Sequence, residues 1–131
     1  MTLSAADRLD ILDVVSRADA AATRRDADAY VSLFTDDAVL DGSQGRHAGK
    51  AGLRSSVGPI WAAEGPATLH LTLNPVIDAG NSQDEATVSS VLLIVEPAAT
   101  ITIRTAAAIT QTLRRADGRW RISSRTVAAP G

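Results

Sequence analysis

The sequence predicts a single α+β domain in which one curved antiparallel sheet packs against N-terminal helices. Three observations predict this class. Apolar residues recur at helical spacing in the first half of the chain. The second half alternates apolar and polar residues, with turn signals at Gly80-Asn81-Ser82 and Asp117-Gly118. The 131 residues suffice for one hydrophobic core but not for two, so residues 1–131 are expected to form one domain.

A long first helix is predicted over residues 4–24. Ser4 stands where an N-cap is expected, and Asp7 occupies the matching position of a capping box. Asp19 projects into the apolar face of this helix, where an unpaired carboxylate is costly. It should therefore be partnered, protonated or exposed to a cavity. The apolar face comprises Leu9, Ile11, Leu12, Val14, Val15, Ala18 and Ala22.

Two shorter helices are expected next. One runs over residues 26–35, with Asp26 as its cap and with Tyr30, Leu33 and Phe34 as its buried residues. The other runs over residues 50–64, where Gly58-Pro59 should kink or interrupt it. Its buried residues would be Leu53, Val57, Ile60 and Trp61.

Five strands are predicted, one before the third helix and four after Gly65-Pro66. A glycine-rich loop is expected over residues 42–49. In the strand with the clearest alternation, three leucines share one face while His70, Thr72 and Asn74 share the other. The predicted strands are 38–41, 68–74, 86–95, 100–114 and 120–127.

The alternation alone does not orient the 68–74 strand. If Leu69, Leu71 and Leu73 face the helices, the polar residues meet solvent. If the polar residues face the helices, another surface must cover the leucines, most naturally a second subunit.

Composition excludes several classes of function. The absence of cysteine rules out disulfides, thiolate zinc sites and cysteine nucleophiles. The two histidines have no partner at i, i+4, and no nucleotide-binding glycine loop is present, so neither a metal nor a cofactor is expected.

The charge distribution does not favour a nucleic-acid partner. The net charge is −2, and aromatic residues make up only 3% of the chain. The longest apolar run, Val91 to Val95, is far too short to span a membrane, so a soluble, cytoplasmic protein without a membrane partner is expected. We interpret the arginine cluster near the C-terminus as a solvated hairpin face. The cluster comprises Arg114, Arg115, Arg119, Arg121 and Arg125.

Two segments of the first half resemble a known family. The stretch from Asp26 to Asp41, which contains Phe-Thr-Asp-Asp-Ala, precedes a glycine-led helix at Gly49 to Arg54. This order resembles the SnoaL-like branch of the NTF2-like superfamily, and His70 to Asn74 is similar to the start of the second strand in that family. The resemblance covers residues 5 to about 127.

The resemblance implies a cystatin-like fold. In this fold a cone-shaped barrel is formed by a curved antiparallel sheet wrapped around three N-terminal helices, and a pocket opens between sheet and helices. The family also implies homodimers through the outer sheet face. His70 and Asn74 would then point inward, and Leu69, Leu71 and Leu73 would face the partner subunit.

The resemblance carries catalytic residues over only in part. In the dehydratase and dehydrochlorinase members, a strand histidine acts as the base and a first-helix aspartate orients it. His70 matches the histidine, whereas the aspartate position falls on Thr23, and Asp19 one turn earlier could substitute. The ketosteroid isomerase pattern is disfavoured, because its tyrosine falls on Ala18 and its aspartate at or beside Gly42.

Two functions remain open from the sequence. In the first, a neutral His70, with Asp19 or Asn74 fixing its tautomer, removes a proton from a small hydrophobic carbon acid and acts as a cofactor-independent lyase, isomerase or cyclase. In the second, the domain binds a small ligand or serves as a dimeric scaffold without catalysis, which Thr23 and the scarcity of aromatics favour. The expected ligand contacts are Asp41, Trp61, Asn74, Thr23 and Tyr30.

Overall fold

A computed structural model of the protein describes residues 2–128. Within these residues, six strands form one sheet in the order β2-β1-β6-β5-β4-β3, and three helices pack on one side of it. None of the helices in this part of the chain is long and apolar enough to cross a membrane. The elements are α1 (Ala5–Arg24), α2 (Ala27–Ser32), β1 (Phe34–Gly42), β2 (Gly45–Ala48), α3 (Gly49–Glu64), β3 (Leu69–Ala79), β4 (Glu85–Glu96), β5 (Thr102–Ala116) and β6 (Arg119–Val127).

Helix α1 begins at the predicted capping box. The Ser4 side chain accepts a hydrogen bond from the Asp7 backbone, and the Asp7 carboxylate accepts one from the Ser4 backbone. The helix packs against β3 and β6. Leu9 is exposed, contrary to its expected place on the apolar face, whereas Asp19 is buried on that face as expected. Its buried apolar residues are Ile11, Val15, Ala18, Ala21 and Ala22.

The chain leaves α2 earlier than expected. The predicted helix over residues 26–35 ends at Ser32, because the Ile122 backbone donates to the Leu33 carbonyl and draws the following residues alongside β6. Phe34 therefore begins β1, which runs parallel to β6. The loop expected over residues 42–49 contains strand β2, which pairs with β1 as a hairpin.

Helix α3 continues through Pro59. The interruption expected at Gly58-Pro59 is absent, and one helix extends from Gly49 to Glu64. The proline removes its own backbone donor and crowds the carbonyl four residues earlier, but the helix continues past it.

Bulges reverse the alternation of side chains within single strands. In β3 the register shifts between Leu73 and Val76, and Asn74 adopts a positive φ of 53°. The inward positions change from His70 and Thr72 before the bulge to Ile77 after it. Such extra residues also bend the strand, which helps the sheet to curve around the helices.

The opposite face of the sheet carries large apolar side chains. In the single chain Leu69, Leu71 and Leu73 are 38–39% exposed, while His70 between them is buried. We call this surface the outer apolar face; it comprises Leu69, Leu71, Leu73, Val76, Val91 and Ile103.

Candidate active site

A cavity of about 360 Å³ lies between the sheet and helices α2 and α3. Most of its wall is apolar, and its polar residues include both acids and bases. Cavities of this size and lining are typical of small-molecule sites. The apolar lining includes Leu40, Val57, Ile60, Trp61, Leu92, Ile94 and Val127. The ionisable lining comprises Tyr30, Asp41, Glu64, His70, Arg104 and Arg125.

His70 pairs with Glu64 inside this cavity. The imidazole Nε2 lies 2.7 Å from Glu64 Oε2, and the exposed fractions of the two side chains are 6% and 14%. Thr23 Oγ1 accepts a hydrogen bond of 3.0 Å from the His70 backbone N–H and so fixes the strand against α1. The expected pairing of His70 with Asp19 is therefore wrong, because the last residue of α3 supplies the carboxylate.

The contacts of Glu64 define the tautomer of the neutral His70 ring. Glu64 Oε2 also accepts from Arg25 Nη1 at 3.2 Å and from Thr68 Oγ1 at 3.4 Å. An ionised carboxylate only accepts hydrogen bonds, so the neutral ring carries its hydrogen on Nε2. The lone pair then belongs to Nδ1, which is the basic position of the ring.

Asp19 pairs instead with Arg125. Arg125 Nη2 donates to Asp19 Oδ1 at 3.3 Å, and both side chains are buried. Arg125 was expected on a solvated face, but the bulge between Ile122 and Ser124 reverses the alternation of β6 and turns Arg125 inward. Its Nη1 is buried without a hydrogen-bond partner in the described part of the chain.

The surroundings of Arg125 keep it charged. Burial alone would lower the pKa of this guanidinium, but Tyr30, Asp19 and Glu64 raise the pKa above its ordinary value. Burial also disfavours the charged form of Tyr30. It therefore raises the pKa of the hydroxyl, so the phenol is neutral and can donate a hydrogen bond. The Tyr30 ring packs edge-on against Trp61 and lies 6.0 Å from the Arg125 guanidinium carbon.

The structure brings some of the predicted ligand contacts together and leaves others out. Asp41, Trp61 and Tyr30 line the cavity with His70. Thr23 lies outside the lining, and its hydroxyl accepts the hydrogen bond from the His70 backbone. Asn74 was expected to face inward, but it is exposed because it occupies the β3 bulge.

Glu64 and Arg125, the two charged residues that pair with the predicted His70 and Asp19, were not predicted from the sequence. Glu64 continues the apolar spacing of α3, since it follows Val57 by seven residues and Trp61 by three. That spacing places a carboxylate on the buried stripe, the same signal that singled out Asp19. Arg125 gave no comparable signal, because its orientation depends on a bulge.

Solved structures share this fold. A protein of unknown function with a cystatin-like fold from Nostoc punctiforme matches with a TM-score of 0.88 and 28% identity, over 97% of this chain and 93% of that chain. Hexachlorocyclohexane dehydrochlorinase LinA-type3 from Novosphingobium barchaimii matches with a TM-score of 0.81 and 21% identity, over 94% and 86%. No curated protein matches the sequence significantly.

The family model described as a SnoaL-like domain matches residues 4–126. An NTF2-like protein with a cystatin-like fold from Novosphingobium aromaticivorans also matches in structure, with a TM-score of 0.79 and 21% identity over 93% of this chain and 80% of that chain. The family match agrees with the observed fold of three helices and a curved six-stranded sheet, and the chain belongs to the SnoaL-like domain family.

Proposed function

We propose that the protein is a cofactor-independent enzyme in which His70 removes a proton from carbon in a small, largely apolar carbonyl compound. The observation that carries this proposal is the 2.7 Å contact between His70 and Glu64 inside an apolar cavity. Histidine is the commonest general base in enzymes, and a carboxylate that fixes its tautomer leaves one nitrogen free to act. Nδ1 is that nitrogen here.

Arg125 supplies the second element of the reaction. When a base removes a proton next to a carbonyl group, negative charge develops on the carbonyl oxygen. The Arg125 guanidinium is a buried positive charge in the cavity wall, and such a charge in a water-poor site stabilises the developing negative charge. Asp19 holds the guanidinium in place by accepting a hydrogen bond from Arg125 Nη2.

The proposed step conserves atoms and electrons without a cofactor. The proton passes from carbon to Nδ1 of His70, and the C–H electron pair moves toward the carbonyl oxygen as an enolate. The enolate then expels a leaving group or takes the proton back at another carbon, which gives elimination or isomerisation. Elimination is the first reaction to test, because one of the similar structures is named as a dehydrochlorinase.

The Kemp elimination of 5-nitrobenzisoxazole tests this proposal without knowledge of the natural substrate. In that probe a base removes the ring C–H proton, the N–O bond breaks and a coloured cyanophenolate forms. We expect the protein to accelerate the reaction, and His70→Asn to lower the rate by about 10²–10⁴-fold.

The second histidine provides the matched control. His47 lies in β2 outside the cavity lining, so His47→Asn should retain the full rate. Equal rates for the unmodified protein and His70→Asn would contradict a carbon-acid base at this position. Saturable binding of the probe without turnover would favour the non-catalytic ligand-binding alternative.

We also propose that the outer apolar face binds a second copy of this chain. Its six large apolar side chains lie on one surface of the sheet, and soluble monomers rarely expose contiguous patches of this kind. Sedimentation analysis should give a dimer for the unmodified protein and a monomer for Leu71→Asp. Leu9→Asp, on the exposed side of α1, is the control and should remain dimeric. A monomeric unmodified protein would overturn this proposal.

A further inference from the structure

One carboxylate oxygen of Glu64 is shared between a histidine and an arginine. Glu64 Oε2 lies 2.7 Å from His70 Nε2 and 3.2 Å from Arg25 Nη1. The other terminal nitrogen of Arg25 donates to the Gly65 carbonyl at 2.9 Å and to Thr68 Oγ1 at 3.0 Å. The guanidinium thus binds Glu64 and the chain segment that leads to His70.

We infer that Arg25 is a positioning residue that lowers the proton affinity of His70 by sharing Glu64 with it. With Glu64 alone, a proton on the imidazole would complete an ion pair and would be held firmly. With Arg25 already on the same oxygen, a second positive charge is opposed. The proposed function needs a neutral imidazole as its base, and the inference rests on that function for its catalytic meaning.

The geometry places the two cations close together. Because both contact one oxygen, the guanidinium and imidazole nitrogens lie within about 6 Å of each other. The Arg25 side chain is 27% exposed, which weakens the interaction without removing it. We therefore expect removal of the Arg25 charge to raise the proton affinity of His70 about tenfold.

The other ionisable groups around the cavity already have partners or face other positions. Arg125 of β6 pairs with Asp19 of α1, and Arg104 of β5 pairs with Glu96 of β4. Within the described part of the chain, Arg25 is the arginine that contacts Glu64, the carboxylate paired with His70. The remaining ionisable lining groups are Tyr30 on α2 and Asp41 on β1.

The backbone conformation of Arg25 is unusual for a residue with a large side chain. It occupies the C-cap of α1 in the left-handed conformation, with φ of 59° and ψ of 35°. Glycine is usual at helix ends in this conformation, because other residues are strained there. An arginine at this position aims its guanidinium at Glu64 and the α3–β3 connection.

Nitrogen-15 NMR of the two histidine rings as a function of pH tests the inference without any substrate. We expect Arg25→Met to raise the proton affinity of His70 about tenfold, and Glu64→Gln to lower it. Opposite directions for two variants of one cluster distinguish an electrostatic effect from general loosening of the site. Arg25→Lys keeps the charge and should restore most of the unmodified behaviour.

The chain offers a matched control in Arg24, which is exposed beside Arg25 and removes the same charge when changed. Arg24→Met should leave the His70 titration unchanged, and His47 serves as an internal reference. If Arg25→Met does not fold, Arg25→Gln replaces it, since the amide keeps a donor for Gly65 or Thr68. A His70 titration in the Arg25 variant equal to that in Arg24→Met would overturn the inference, whatever the outcome of the Kemp assay.

Discussion

Replacement of Asp19 by asparagine should destabilise the protein strongly, although Asp19 lies outside the cavity lining. The substitution keeps the shape and one acceptor oxygen but removes the negative charge beside Arg125. Arg125 is 3% exposed and would remain buried as a charged group without its carboxylate. A buried charge without a counter-ion is among the costliest defects in a folded chain.

The expected loss follows from the distance and burial of the pair. Two unit charges 3.3 Å apart interact by about 5 kcal/mol at an effective dielectric constant of about 20. Removal of one partner of a buried pair typically costs about 3–5 kcal/mol. Because asparagine can still accept from Arg125 Nη2, we expect about 3 kcal/mol. For a domain of this size that corresponds to a melting temperature about 10 °C lower.

Urea denaturation followed by circular dichroism measures this loss. Asp13→Asn is the matched control on the same helix, because Asp13 pairs with Arg17 at the shorter distance of 2.7 Å but both side chains are more than half exposed. The control should leave the free energy of unfolding unchanged within error. Equal effects of the two substitutions would refute the reasoning, since burial would then not determine the energy of the pair.

Three further changes test other parts of the fold. Hydrogen bonds from Trp120 and Ser4, with the charge of Arg115, lower the pKa of Asp7. The ionised Asp7 therefore stabilises the folded protein above the ordinary carboxyl range, and this contribution is lost as the pH falls through the lowered pKa. Asp7→Asn should therefore lower the melting temperature at pH 7, and this difference should vanish in strong acid. Gln111→Met should raise the free energy of unfolding by about 1 kcal/mol in urea titrations, because both amide atoms are buried without partners in residues 2–128. Gly118→Ala should lower it by about 1 kcal/mol, because Gly118 has a φ of 74° and the cost is conformational rather than steric.

Local signals in the sequence predicted most of the fold. Ser4 and Asp7 fixed the start of α1, because a capping box requires only contacts three residues apart. Asp117 and Gly118 both adopt positive φ angles, as expected for the predicted hairpin turn. The inward direction of His70 required the family resemblance, since alternation alone fits either face.

Two of the errors at the site, those at Asn74 and Arg125, share one physical cause. A strand alternates with a period of two only while its register is unbroken, and one extra residue reverses every later side chain. The bulge at Asn74 moved that residue out of the cavity, and the bulge near Ser123 turned Arg125 into it. The partner of His70 was missed for a different reason. Glu64 and His70 lie on different elements, and the turn between α3 and β3 brings them into contact.

The rates of Kemp elimination by His70→Asn and Glu64→Gln, measured side by side, test the central claim most directly. If His70 is the base and Glu64 orients it, His70→Asn loses about 10²–10⁴-fold and Glu64→Gln loses less, about 10–100-fold. A larger loss for Glu64→Gln, or an unchanged rate for His70→Asn, would contradict this assignment.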